Sequence, residues 1–269
     1  MSELHEVRTA ERIERVEHEL AAHGTERIFS FFDEESNRTV YVKQAEPVHN
    51  AAWLRFSRWA TITLGLGILQ PGADPDGEKA LRLEAGRLRR LQDRGISVPE
   101  VYAAGYNWIA LYDAGENAAV CIRKDVCSYE EKRRLIVAAA ENLASLHSMG
   151  LHHGRPHLKD MLWDGETISL LDFEDGYLID VAREKRIMRD LLLFLQSIYK
   201  EAAEAGKDCG PELAQLAFST YAAKETYYAS YAKKYFGDLS VLYLLLGILR
   251  CAGSDLESVY QTLKLFRQA

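Results

Sequence analysis

His153-Gly154-Arg155-Pro156-His157-Leu158-Lys159-Asp160-Met161-Leu162-Trp163-Asp164-Gly165 and, just beyond, Ile168-Ser169-Leu170-Leu171-Asp172-Phe173-Glu174 are the residues on which the fold turns. They predict a loop followed by two short strands. Met161 to Trp163 is a short apolar run, Asp164-Gly165 is a hairpin turn signal, and Ile168 to Leu171 is the returning strand. The hairpin carries Asp160 ahead of its first strand and Asp172 behind its second. Two carboxylates at one end of a hairpin suit a divalent cation that bridges phosphates, because hard cations take oxygen ligands.

The surrounding chain has 269 residues, which predicts one domain or a two-lobed unit. Hydrophobic residues make up 48% and charged residues 27%, a globular balance. A net charge of −7 argues against a nucleic-acid partner held by bulk charge. Cys121, Cys127, Cys209 and Cys251 form no CxxC pair, so a reduced, cytoplasmic protein is expected. The polar, acidic start predicts no signal peptide. No apolar run reaches 18 residues, so no spanning helix is expected.

Working outward toward the N-terminus, Ile13, Val16 and Leu20 at spacings of three and four predict a helix over 8–23 that caps the first lobe and ends at Gly24. Residues 27–32 and 39–43 read as strands joined by the turn Asp33 to Arg38. Residues 78–94 predict a helix with Leu81, Leu88 and Leu91 on one side and arginines on the other, stopped at Gly95 to Pro99. Strands follow at 101–105 and 108–112, then a helix over 129–149 with Leu135, Leu143 and Leu146 inward. An apolar helix opens at Arg189, and residues 212–236 and 238–268 are expected to be helical.

Two features have more than one reading. Residues 53–71 join Trp53, Arg55, Arg58 and Trp59 to a short apolar run. The run is too short to span a bilayer; it either lies in the interface, where Trp anchors and Arg meets headgroups, or packs within the first lobe. His147, His152, His153 and His157 suggest a metal cluster, but Pro156 breaks the helix that would align His153 with His157, and no cysteine completes a zinc set. His153 is read as orienting the loop.

The deciding stretch resembles the catalytic core of the protein-kinase-like superfamily, in which H-[RG]-D-x-x-x-x-N precedes one strand and D-F-[GDE] follows the next. Asp160 falls at the loop Asn, and Asp172-Phe173-Glu174 matches the D-F-E form common among small-molecule and glycolipid kinases. Val40-Tyr41-Val42-Lys43 resembles the family's V-A-I-K strand. Glu84 to Leu91, followed by Val98-Pro99-Glu100-Val101, resembles the helix whose Glu pairs with that Lys. Leu143 to Leu151 resembles the "LAxLHxxGLxH" lead into the loop. Asp190 resembles the Asp that holds the loop backbone. Two departures stand out: Arg155 occupies the position of the family's catalytic Asp, and no Gly-rich loop precedes Lys43.

The resemblance runs over about residues 26–200 and is similar in character to bacterial lipopolysaccharide-core sugar kinases, with RIO-type and aminoglycoside-type kinases more distant. It implies an α+β, two-lobed protein-kinase-like fold, with a small β-rich N-lobe holding one long helix and a helical C-lobe. The expected divisions are an N-terminal helix over 1–25, an N-lobe over 26–115 and a C-lobe over 116–269. It further implies ATP and Mg²⁺ as cofactors bound between lobes. Lys43, Glu84 and Asp113 would serve the nucleotide, Asp160 and Asp172 the metal, and Asp160, Arg155 and His153 catalysis. The acceptor would be a glycolipid or sugar at the inner membrane face, with peripheral contact through residues 53–71 and no nucleic-acid partner. The alternative is a pseudokinase, a nucleotide-binding or regulatory module in which Arg155 marks lost chemistry.

Overall fold

The computed structural model describes residues 2–45, 77–124, 127–173, 181–206, 208–249, 251 and 253–268. The chain is mixed α and β, with two small antiparallel sheets. Its described residues fall into two compact units that divide between Ala114 and Gly115. The interfacial expectation for 53–71 lies outside the described residues.

In the first unit, helix α1 spans Ser2–His23, longer than the 8–23 expected. It ends where Gly24, at φ +59°, returns its N–H to Leu20 O. Strands β1 (Ile28–Asp33), β2 (Arg38–Gln44), β3 (Val101–Ala104) and β4 (Trp108–Tyr112) form a sheet in the order β1-β2-β4-β3. Along β2, Val40 and Val42 are buried in a core with Val16 of α1, Phe29, Tyr102, Trp108 and Tyr112. Because side chains alternate across a strand, Tyr41 and Lys43 project from the opposite face. Helix α2 (Gly77–Gln92) packs on β3 and β4, burying Leu81, Ala85, Leu88 and Leu91.

The β1–β2 turn is pinned to α1. Asp33 accepts from Ser36 N at 3.2 Å and Ser36 Oγ at 2.5 Å, and Arg15 Nη1 reaches its other oxygen at 2.9 Å. Arg12 lies over the Tyr102 ring at 4.9 Å and donates to Tyr112 O–H at 3.1 Å.

In the second unit, β5 (Glu116–Asn117), β6 (Met161–Trp163) and β7 (Ile168–Leu170) form a three-stranded sheet in that order. Gly115 enters it at φ +109°, and a Cβ there would collide with the Trp163 carbonyl. Only glycine meets both demands. Helix α3 (Ala118–Arg123), which the sequence reading lacks, is N-capped by Asn117. Helix α4 (Tyr129–Ser148) opens on a capping box: Glu131 N donates to Ser128 Oγ at 3.2 Å, and Ser128 N to Glu131 Oε2 at 2.7 Å. Its inward face buries Leu135, Leu143 and Leu146.

Helix α5 (Arg183–Glu204) starts six residues before the expected opening at Arg189. The residues expected to be helical at 212–236 and 238–268 form two helices in each stretch. Helices α6 (Gly210–Lys224) and α7 (Thr226–Asp238) part at Glu225. Glu225 N closes α6 on Tyr221 O, and its side chain accepts from Tyr228 N to start α7. Helices α8 (Ser240–Leu249) and α9 (Ser254–Gln268) part before Ser254, which Gly253 precedes, a break that hydrophobic period alone overrides.

Candidate functional site

The residues singled out from sequence divide between the two units. In the first, Lys43 stands on the sheet face opposite Val42, and α2 presents Glu84 to it. Nζ and a Glu84 carboxylate oxygen are 3.6 Å apart, with the side chains 27% and 12% exposed. Forty-one positions of sequence separate the two, so the pairing is made by the docking of α2 on the sheet. Asp113, just past β4, donates its N–H to Thr39 O at 2.9 Å. That amide is therefore engaged with β2. Ser36 N, in the turn before β2, is likewise turned onto Asp33, which differs from a phosphate cradle built of outward N–H groups.

In the second unit, the loop from His153 to Asp160 is held from below by Asp190 of α5. Asp190 is fully buried and accepts from His153 N at 2.5 Å and Gly154 N at 2.9 Å. His147 Nε2 lies 3.2 Å from the same carboxylate, and His147 Nδ1 lies 2.7 Å from Tyr221 O–H. Burial alone would raise the Asp190 carboxyl. The hydrogen bond and charge from His147, with the charges of His153 and His152, outweigh it and hold the group below the ordinary carboxylate range. Burial pushes the Tyr221 phenol far up, so it stays protonated. The two ring nitrogens of His147 thus bridge the Tyr221 O–H and the Asp190 carboxylate, and the chain Tyr221–His147–Asp190–loop is continuous.

His153 is itself buried and stacks on Phe173 at 4.4 Å between ring centroids, while its Nδ1 accepts from Arg155 N at 3.3 Å. The loop histidine thus touches the residue that follows Asp172. Further along, Leu158 N donates to Ser197 Oγ at 3.2 Å, and Asn117 Nδ2 to Lys159 O at 2.6 Å. Asp160 O accepts from Leu171 N at 2.9 Å, which fixes the start of β6 against the end of β7.

Asp160 is nearly buried, and one of its oxygens lies 3.6 Å from Arg155 Nε. Asp172 is half-buried and has φ +51°, in the left-handed region that Asp enters more readily than most residues. Among the described residues no three His, Cys, Asp or Glu side chains converge on one point. Two carboxylates nonetheless match the donor set of Mg²⁺, which takes one or two from protein and fills its shell with phosphate and water. His157 lies in the same loop. Its Nε2 is shut from solvent with no hydrogen-bond partner. Burial, with the charges of Arg155, Lys159, Lys200 and His153, lowers its pKa to about 3.

Several positioning groups escaped the sequence reading: Asn117, Ser197, Tyr221 and the Asp33–Arg15 staple. Each pairs polar groups that are distant in sequence. The one local signal was Asn117 standing immediately before an apolar run, an N-cap pattern.

No protein-family model matches the chain. It is similar to an uncharacterized protein of Haemophilus influenzae (strain Rd), 24% identical over 257 residues that cover 94% of this chain and 95% of that one.

Proposed function

We propose that the chain is a kinase-like, two-lobed nucleotide-binding protein that acts as an ATP- and Mg²⁺-dependent phosphotransferase. The observation that carries this reading is the Lys43–Glu84 pair at 3.6 Å, a strand cation oriented by a helix carboxylate and withdrawn from solvent on both sides. A lysine held in this way offers a fixed positive charge to phosphate oxygens. The Asp190 clamp on His153 and Gly154 adds support, because it fixes the backbone of the loop that ends in Asp160.

In this reading Asp172 and Asp160 hold Mg²⁺, which when bound neutralises charge on the phosphates. Lys43 binds and orients the nucleotide, and Glu84 orients Lys43. His153 positions Phe173 and thereby Asp172. Asp160 is the carboxylate that takes part of the base role, and Arg155 supplies positive charge to the transferred group. The D-F-E form points to a sugar or glycolipid hydroxyl as acceptor, at the inner face of the membrane.

A second reading is favoured by one observation. Arg155 stands where the resembling family keeps its base and is paired with Asp160, as a pseudokinase that binds nucleotide without transfer would allow. The first experiment is a thermal-shift titration with ATP, with and without Mg²⁺. A ligand that binds only the native state raises its melting temperature by mass action. The expected result is a rise with Mg-ATP that is lost in Lys43→Met and loses its Mg-dependent part in Asp172→Ala. No shift at millimolar Mg-ATP sinks both readings; a shift without turnover on sugar or glycolipid acceptors leaves the second.

A further inference from the structure

Arg155 and Asp160 stand at the two ends of one short stretch of loop, and both backbones are pinned. Arg155 N donates to His153 Nδ1 at 3.3 Å, and Arg155 O accepts from His157 N at 2.8 Å. Asp160 N donates to His157 O at 2.9 Å, and Asp160 O accepts from Leu171 N at 2.9 Å. Between them, the ring of Pro156 fixes φ. Asp190 holds the amides of His153 and Gly154 just ahead. The side chains are therefore the parts of this stretch that are free to move against each other.

Their surroundings differ. The Asp160 side chain is 7% exposed and that of Arg155 35%. A carboxylate this far from water needs a positive charge beside it. His157, in the same stretch, does not supply one: burial and the charge of Arg155 lower its pKa to about 3, so its imidazole is neutral. Arg155 does supply it, with Nε 3.6 Å from an Asp160 oxygen. At that length the contact is an ion pair and not a hydrogen bond, so charge holds it and no fixed geometry does. The guanidinium is partly in solvent and has room to turn to another anion.

The resembling family places Asp and Asn at these two positions, which leaves a net negative charge; Arg and Asp here leave none. An opposite charge about 4–6 Å away lowers the affinity of a carboxylate for a proton by about ten- to a thousandfold. A doubly charged ion is repelled by the same guanidinium more strongly still. We propose that Arg155 is a latch on the metal site: in the nucleotide-free protein it holds Asp160 and keeps divalent cations off it, and it releases Asp160 when phosphate oxygens offer the guanidinium a second anion. The inference rests on the phosphotransferase reading for its phosphate and deepens it, because metal and nucleotide then enter together. By linkage, nucleotide raises metal affinity by the factor by which metal raises nucleotide affinity.

The test titrates the full chain with Mn²⁺, which takes the same oxygen ligands as Mg²⁺, and follows the loss of the free ion's paramagnetic resonance signal without nucleotide. Wild type and Asp160→Asn are expected to bind Mn²⁺ alike and weakly, because Arg155 already holds Asp160. Arg155→Gln is expected to bind it about tenfold more tightly or better, and Arg155→Gln/Asp160→Asn to lose that gain. Should Arg155→Gln misfold, ATP binding in EDTA decides: Asp160→Asn frees the guanidinium and is expected to bind metal-free ATP more tightly than wild type. The proposal is overturned if wild type binds Mn²⁺ as tightly as Arg155→Gln, or if neither binds it. It is also overturned if Asp160→Asn weakens Mn²⁺ binding while Arg155 is present, if the gain survives Asp160→Asn, or if that variant binds metal-free ATP no better than wild type. The nucleotide reading fails separately, on the absence of a thermal shift with Mg-ATP in wild type; the Mn²⁺ comparison contains no nucleotide and judges by itself whether Arg155 guards Asp160.

Discussion

The guanidinium of Arg155 lies beside the carboxylate of Asp160, Nε to oxygen 3.6 Å. An arginine here places a built-in cation next to the carboxylate proposed to ligate Mg²⁺. Arg155→Asp replaces that cation with a second anion, and two adjacent carboxylates repel unless a metal separates them. The variant is expected to melt lower than wild type in metal-free buffer and to recover with millimolar Mg²⁺. If the site is that of a decayed kinase, the same change raises phosphate transfer or ATP hydrolysis; if Arg155 works in the present chemistry, it lowers an activity measurable in wild type. A wild type silent with sugar and glycolipid acceptors, and unimproved by Arg155→Asp, would leave a binding module.

Asp190→Ala removes a buried carboxylate and strands two backbone N–H groups and His147. Losing the acceptor of a buried charged network costs about 3–5 kcal/mol. Urea unfolding should show a loss of that order, and Asp190→Asn, which keeps one acceptor oxygen, a smaller one. A loss under about 1 kcal/mol for the alanine variant would mean that the loop does not rely on this anchor.

Asp172 has a left-handed backbone, φ +51°. Alanine pays about 1–2 kcal/mol in that region and glycine does not. Asp172→Gly should therefore be more stable than Asp172→Ala by about 1 kcal/mol in chemical denaturation, while both abolish Mg-dependent stabilisation by ATP. Equal stability of the two would place Asp172 in an ordinary backbone conformation.

His157 should make the fold acid-sensitive. Its folded pKa of about 3 lies below the ordinary value near 6.5. Between these values the unfolded chain binds a proton that the folded chain refuses, so this residue's contribution falls as pH drops through 6.5 toward 3. At pH 4.5 the penalty is about 2–3 kcal/mol relative to pH 7.5. His157→Phe removes the titration. The stability difference between variant and wild type, from urea midpoints at the two pH values, should shift in the variant's favour by about that amount. A constant difference would show that the imidazole titrates normally.

The elements near the deciding stretch were legible because their signals are local. Asp164-Gly165 marks the turn between β6 and β7, and Ile13, Val16 and Leu20 trace the helix face that joins the first unit's core. Helix ends in the C-terminal half were not, because α6 through α9 share one apolar character. Their boundaries depend on single residues such as Glu225, which caps in both directions. Within the candidate site, the residues carrying charge were named through the motifs that resemble the kinase-like family. The groups that hold them were not. Asn117 meets Lys159 and Tyr221 meets His147 only after the chain has folded, and neither contact leaves a pattern in sequence.

Gly115 carries a consequence for descent. Every other amino acid bears a Cβ, and at this position a Cβ strikes the Trp163 carbonyl from a backbone that L-residues avoid. No replacement therefore offers a half-step, and drift elsewhere in β5 or β6 cannot be accompanied by drift here. Lineages descended from this chain are expected to vary around Gly115 while the glycine itself stays, as long as the strand that leads out of Asp160 remains sewn to β5.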